Sequence, residues 1–541
     1  MMQTLFAGLE AAAAKWPDHP FLCTPPHAGR GYLPDGSEWT YAQVLAQASA
    51  LSEKWRDAGW GRGHRVALAL DNHPAHVVHF LALNALGISQ VPVNPYYLHH
   101  ELTYLLEHSE AQAAVALPRN RARLEAAGPL PVVEWDDTCA VDDFVPPPAP
   151  SSPQETEPTP NSEIALVYTS GTTSRPKGAI LDTAYAIAAG RCYADHGGAL
   201  TLREGVERVY VPLPFFHVNA GINTLTAALL TGICLIVPDR FHAETWWDDL
   251  RATRATAFHY LGIIPPVLMK APPRPDDADH GLRFGLGAGI DPAIHAAFEA
   301  RFNVPMVEVW GMTETGRFLA ACHAPRQVDT RAFGRPMPGH MEARVVDDSG
   351  AEVPPDTPGE LVVRFSKDAP RSGFFSGYLK NAEATAEAWR DGWFHTGDVV
   401  TQGDDGMLFF LERSKNLIRR SGENISAAEV EDALVDHPAV GQVAVLSVPD
   451  KMRDEEVMAV IVPAKGALAD NATARDILEF ARQRLAYYKL PAWVVFRDSL
   501  PVTGTQKVQK HRLFEAGADP CTDPAAIDLR DEKANRRKLQ A

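Results

Sequence analysis

Cysteine is scarce and scattered: six in 541 residues, at positions 23, 139, 192, 234, 322 and 521, with no CxxC pair and no metal-ligand spacing. That excludes a disulfide framework and a structural zinc site, and it fits a reducing compartment. Excess positive charge is also missing. Lysine and arginine total 51 against 68 aspartate and glutamate, a formal net charge of -17, which argues against a nucleic-acid-binding surface and leaves any anionic ligand to be met locally. The longest apolar stretch, residues 225–238, is too short to span a bilayer. The first residues, MMQTLFAGLEAAAAKWPDHP, lack a basic n-region and read as an amphipathic helix rather than a secretion signal. No internal repeat is present. The expectation is a soluble cytoplasmic chain with neither a nucleic-acid partner nor an integral membrane segment.

A chain of this length has room for roughly three to four structural units. From about residue 39 to 115, helical periodicity alternates with short apolar runs such as RVALAL and QVPVNP, the rhythm of doubly wound α/β architecture. Residues 144–162, FVPPPAPSSPQETEPTPNS, read as a surface connection outside any sheet. Further on, RVYVPLPFFH, CLIVPD, RFGLGAGI and VPMVEVW each read as a strand ending in a polar or glycine turn. Such strand ends line a ligand crevice in α/β sheets. Shorter β runs over residues 343–364 suggest a small barrel-like subdomain, and a compact α+β pattern follows Leu411. From about Gly517 the chain is polar and charged, and is expected to be loose.

The chemistry begins at residues 168–179, YTSGTTSRPKGA, behind the apolar run IALVY. A short strand emptying into such a loop offers backbone N–H groups, the hydroxyls of Thr169, Ser170, Thr172 and Thr173, the freedom of Gly171 and the ammonium of Lys177 to a polyphosphate. It is not a Walker loop: GxxxxGK[ST] needs glycine before the lysine and a hydroxyl after it, and Lys177 stands between Pro176 and Gly178. A second cluster, EVWGMTET, ends another apolar run. Trp310 could stack on adenine, Gly311 lets the chain approach beside Met312, Thr313 could bond a phosphate and Glu314 could hold magnesium through oxygen. GLGAGI, with Gly287 and Gly289, lacks the last glycine of a dinucleotide fingerprint and reads as a close backbone approach beside adenine and acyl group.

Together with FHTGD, ERSKNLIRRSGENIS and LPVTGTQKVQK, taken in order, these segments resemble the adenylate-forming enzymes, the group of acyl-CoA synthetases, firefly luciferases and peptide-synthetase adenylation domains. The resemblance covers nearly the whole chain. It implies a large N-terminal domain of two doubly wound α/β subdomains plus a β-barrel-like subdomain over residues 1–412, then a hinge at 413–416. A small mobile α+β domain over 417–516 and a polar tail over 517–541 would complete the chain. It further implies that Asp398 accepts both ribose hydroxyls, that Arg413 holds ribose, that Lys415 is the pivot, and that the turn Gly422-Glu423-Asn424 borders the pantetheine tunnel. Lys507 would reach the reacting carboxylate and the α-phosphate, and His217, with Tyr260 and Gly287, would line the acyl pocket. Three departures stand out: Ser174, Asn416 and Gln506 occupy positions where the family usually has glycine, aspartate and glycine.

The implied activity is an ATP-dependent carboxylate–CoA ligase using ATP, Mg2+ and coenzyme A. A small carboxylic acid forms acyl-AMP and pyrophosphate, and a thiol then takes the acyl group. A weaker resemblance, in SVPDKMRDEEVMAVIVP and YYKLPAWVVF, points to the carnitine and crotonobetaine CoA ligase branch. A quaternary-ammonium acid would want aromatic faces, which Trp246, Trp247 or Tyr260 could supply only by pointing inward. Two other readings stay open: a stand-alone adenylation enzyme charging a carrier protein, and an inactive nucleotide-binding regulator. Nothing favours a luciferase-like oxygenase, and a homodimer is the assembly left open.

Overall fold

A computed structural model of the chain describes residues 2–136, 141–169, 176–262, 264–347, 349–413, 417–501, 508, 510–515 and 518–534. The chain divides into two compact units: residues 1–95, 99–168 and 178–412 form the first, and residues 413–541 with 96–98 and 169–177 form the second.

Two large sheets organise the first unit. One is eight-stranded, in the order Phe318–Ala320, Met306–Gly311, Phe284–Ala288, Ala257–Leu261, Arg208–Tyr210, Cys234–Ile236, Pro20–Thr24, Ser37–Thr40. Its inner pairings are parallel and its two edge pairings antiparallel. The other is seven-stranded: Gly377–Tyr378, Lys177–Asp182, Glu163–Thr169, Ser89–Pro92, Arg65–Ala69, Ala113–Ala116, Val132–Glu134. Strands buried on both faces explain the near-continuous apolar runs, as in Ala113–Ala116, where every residue is buried. A third, six-stranded sheet holds Ala332–Gly334, Glu342–Val346, Gly359–Arg364 and Trp393–Gln402 and is wholly antiparallel in its recorded pairings, which fits the barrel-like expectation.

The helix Thr183–Asp195 shows how sequence sets packing here. Asp182 caps it by accepting the N–H of Tyr185 at 2.8 Å, a cap that contributes about 1 kcal/mol. Tyr185, Ala186, Ala189, Cys192 and Tyr193 fall on one buried face at helical spacing. Gly190 lies on that face because a Cβ there would come within 2.6 Å of Thr226, so the neighbouring helix Leu225–Thr231 approaches closely. The apolar stretch at 225–238 thus becomes a short helix and a buried strand, and no described helix is long and apolar enough to cross a membrane. Residues 144–162 hold no strand, as expected, but they are fastened down: Phe144 is buried and the Trp60 indole donates to Pro147 O at 2.6 Å.

In the second unit a sheet runs Glu423–Ser426, Leu417–Arg420, Asp454–Pro463, Trp493–Phe496, Ala526–Asp528, with Val440–Asp450 also paired to Asp454–Pro463. The tail expected to be loose is ordered over 518–534. Ala526–Asp528 adds an edge strand, Leu529 is buried, and Lys533 reaches Glu456 at 2.6 Å, where Arg420 also donates. The segment expected to be loose therefore contributes to a buried ionic centre. The turn expected at Gly422-Glu423-Asn424 is also shifted. Ser421 and Gly422, both with positive φ, form a two-residue hairpin loop, and Glu423 and Asn424 already pair with Arg420 and Arg419. The helix that follows is capped by Ser426.

Candidate active site

Two of the motifs meet through one hydrogen bond. Trp310, on the strand Met306–Gly311, donates its indole N–H to Asp398 Oδ2 at 2.8 Å, across 88 residues of sequence. Asp398 is fully buried and Trp310 only 5% exposed. The turn carrying Asp398 is fixed in turn. Thr396 Oγ1 donates to Leu361 O at 2.7 Å and accepts the Asp398 N–H at 3.0 Å, while Gly397, at φ +70, donates to Glu360 Oε1 at 2.9 Å. An adenine platform asks for an open ring face; what the position of Trp310 supports is the anchoring of Asp398.

The loop after Gly311 is held from several sides. Thr315 Oγ1 accepts the Met312 N–H at 3.2 Å and donates to Arg317 O at 2.9 Å, closing the loop on itself. The hydroxyl of fully buried Tyr185 donates to Thr313 O at 2.7 Å, and Asn223 donates to the carbonyl of Gly316, which sits at φ +64. Glu314 is buried, with its Oε1 accepting the Tyr378 hydroxyl at 2.7 Å. Burial and the Glu314 carboxylate push the Tyr378 phenol far above its ordinary range, so it stays a donor. Among the described residues no group of three His, Cys, Asp or Glu could hold a metal ion. A magnesium ion at Glu314 would therefore be held by one carboxylate with nucleotide phosphates and water, a usual arrangement for Mg2+.

Beside this lies a polar patch that sequence reading missed. His217, partly exposed, opens the segment leading into a π-helical stretch, Asn219–Thr224, and a Cβ at Gly221 would lie 2.2 Å from Phe215 O. Single π turns of this kind recur at functional sites. Asn219 Oδ1 meets His259 Nδ1 at 2.9 Å, and His259 Nε2 meets the Tyr193 hydroxyl at 2.9 Å. Burial lowers the His259 pKa to about 3, so the ring is neutral. With an amide oxygen at Nδ1, that nitrogen carries the hydrogen and Nε2 accepts from Tyr193. The signal for this relay was weak: a histidine inside the apolar strand AFHYL.

Tyr260 is fully buried, and its hydroxyl donates to Val307 O and Glu308 Oε2, both at 3.2 Å. Trp246 is likewise buried in the core, and Trp247 stacks on Phe302 at 4.3 Å and His280 at 5.6 Å. The close approach at Gly287 is to the neighbouring strand: it pairs with Tyr260, and a Cβ would sit 2.2 Å from Tyr260 O. Gly289, at φ +85, and Ile290 donate their N–H groups to Glu308, which organises this turn.

Thr169 ends one strand of the seven-stranded sheet and Lys177 begins the next. Ser170, Gly171, Thr172, Thr173 and Ser174 between them, Lys415 and Asn416 at the hinge, and Gln506 and Lys507 lie outside the described residues, as do the side-chain roles expected of Arg413 and Asn424.

Largely parallel α/β sheets together with the buried carboxylates of Asp398 and Glu314 are what a nucleotide-using α/β enzyme would carry. Comparison with known proteins agrees. The profile described as AMP-binding enzyme matches residues 9–379, and that of the AMP-binding enzyme C-terminal domain matches residues 429–507. The chain belongs to the AMP-binding enzyme family. A sulfoacetate–CoA ligase of Cupriavidus necator is 30% identical over 528 residues, 95% of this chain and 98% of that one. A crotonobetaine/carnitine–CoA ligase of Proteus mirabilis is 29% identical over 504 residues, covering 88% and 93%. Among solved structures, a malonyl-CoA ligase complex with methylmalonyl-CoA and AMP matches with a TM-score of 0.72 and 27% identity, over 92% of this chain and 100% of that one. An amide bond synthetase from Marinactinospora thermotolerans matches with a TM-score of 0.78 and 26% identity, over 94% and 98%.

Proposed function

We propose that the chain is an AMP-forming acyl-CoA synthetase that joins a short, polar carboxylic acid to coenzyme A through acyl-AMP. The observation that carries this reading is the bond from Trp310 to buried Asp398, which brings together two motifs 88 residues apart in the sequence. In the first half-reaction the acid's carboxylate attacks the α-phosphorus of ATP and pyrophosphate departs. Asp398 accepts the ribose hydroxyls, the loop at 168–179 holds the departing phosphates, and Lys507 lies between the two anions. Repulsion there is the main barrier, and fixed cations and N–H groups lower it without reorganisation. Magnesium at Glu314 would neutralise phosphate charge. In the second half-reaction the thiol attacks the acyl carbonyl and AMP leaves, with Lys415 as the pivot that exchanges Lys507 for the hairpin at Gly422.

A short polar acid is supported by the Asn219–His259–Tyr193 relay near His217, and by relatives named for sulfoacetate and for crotonobetaine or carnitine. The amide bond synthetase among the structural neighbours makes the acceptor the point to test. AMP release should require both an acid and coenzyme A. Release with a carrier protein or an amine but not with coenzyme A would reassign the second step.

A further inference from the structure

The side chain of Tyr378 has no place in the mechanism above, yet it touches Glu314 and belongs to the strand next to the one that leaves the phosphate loop. Gly377 and Tyr378 pair antiparallel with Ile180 and Ala179. The Ser376 N–H donates to Ile180 O and the Leu379 N–H to Gly178 O, both at 2.8 Å, so the backbone on either side is locked to that strand. Thr385 Oγ1 accepts the Tyr378 N–H at 2.9 Å, and the Tyr378 ring packs on Phe375 at 4.8 Å. Phe375 in turn donates its N–H to Glu314 O at 3.0 Å. Segment 375–378 therefore holds Glu314 at both its main chain and its carboxylate.

A glutamate's last torsion is broad and two-fold, so an unanchored carboxylate samples many orientations. Fixing Oε1 with a buried donor removes that freedom and sets the direction of Oε2. We infer that Tyr378 is a positioning residue for adenylation: its hydroxyl takes one oxygen of Glu314 so that the other is presented to the cation on the nucleotide phosphates, and its backbone ties that carboxylate to the phosphate-loop exit strand. The inference rests on the reading of Glu314 as the metal carboxylate. A core tyrosine could satisfy its hydroxyl on any carbonyl; this one spends it on a buried carboxylate 64 residues away.

The test is a calorimetric titration of Mn2+ into wild-type, Tyr378→Phe and Glu314→Gln enzyme saturated with ATP, followed by Mg2+ dependence of the adenylation rate. Loss of a partner that orients a metal ligand weakens metal binding by about ten- to a hundredfold. Tyr378→Phe should show that loss, and its rate should recover toward wild type as Mg2+ is raised. Thioester formation from supplied acyl-AMP should stay within about twofold, since Tyr378 acts only through the metal carboxylate. If Glu314→Gln weakens Mn2+ binding and Tyr378→Phe does not, the positioning role is wrong. If Tyr378→Phe lowers the rate equally at every Mg2+ concentration, its part is structural and the inference also fails. If Glu314→Gln leaves Mn2+ binding unchanged, the reading of Glu314 itself falls.

Discussion

Replacing Trp310 by phenylalanine keeps an aromatic ring and removes the indole N–H that donates to Asp398 Oδ2 at 2.8 Å. Both residues are buried, so water cannot readily take the place of that donor. A hydrogen bond to an ionised group contributes about 1.5–3 kcal/mol. At 1.36 kcal/mol per tenfold change, its full loss corresponds to roughly a ten- to hundred-and-fifty-fold change in an equilibrium constant. The whole of that reaches nucleotide affinity only to the extent that the bond aims the carboxylate at ribose, so a weakening of about tenfold in ATP binding is the expected result. Calorimetric titration with ATP and with 2′-deoxy-ATP separates aim from packing. Wild-type protein should prefer ATP, Trp310→Phe should narrow the preference, and Asp398→Ala should abolish it. A double-mutant cycle of the two positions would then show coupling of about 0.5–3 kcal/mol. The reasoning is refuted if Trp310→Phe binds both nucleotides as wild type does, or weakens both by the same factor.

Burial lowers the pKa of each of His76, His79 and His259 to about 3. Each ring takes up its proton near pH 6.5 when unfolded and not until about pH 3 when folded, so stability falls as pH drops through that window. The expected slope is about 1.4 kcal/mol per pH unit for each histidine, read from urea midpoints between pH 6.5 and 4.5. A flat profile would refute it. Gly287→Ala would press a methyl group to 2.2 Å from Tyr260 O. The cost should be about 1–3 kcal/mol or more, seen as a lower urea midpoint. Lys507→Ala should slow adenylation by about a hundredfold or more while sparing thioester formation from supplied acyl-AMP. Equal damage to both half-reactions would remove Lys507 from its assigned role.

What was legible in the sequence was local. Strand-then-glycine patterns such as VPMVEVWG and RFGLGAGI fold as adjacent parallel strands, because a buried strand reads as an unbroken apolar run. Asp398 and Trp310 were each picked out by their own short motifs, but the bond between them depends on packing across 88 residues, which no local pattern encodes. The partners of Tyr260 were illegible for the same reason. A tyrosine in a strand carries no mark of which face it takes, and here its hydroxyl is satisfied by Val307 and Glu308 inside the sheet. Composition misled at the end of the chain, which was expected to be loose, whereas Lys533 there is buried on Glu456. Tyr378 was passed over because a lone Gly-Tyr pair after FFS has no chemistry of its own until Glu314 is set against it.

The central claim is that this site activates a carboxylate on the α-phosphate of ATP, and acid-dependent exchange of labelled pyrophosphate into ATP, with no thiol present, measures that step alone. Exchange is expected with at least one short polar acid, none without acid, and it should be lost in Asp398→Ala. ATP binding without exchange for any acid in a panel of short, medium, aromatic and betaine acids would contradict it.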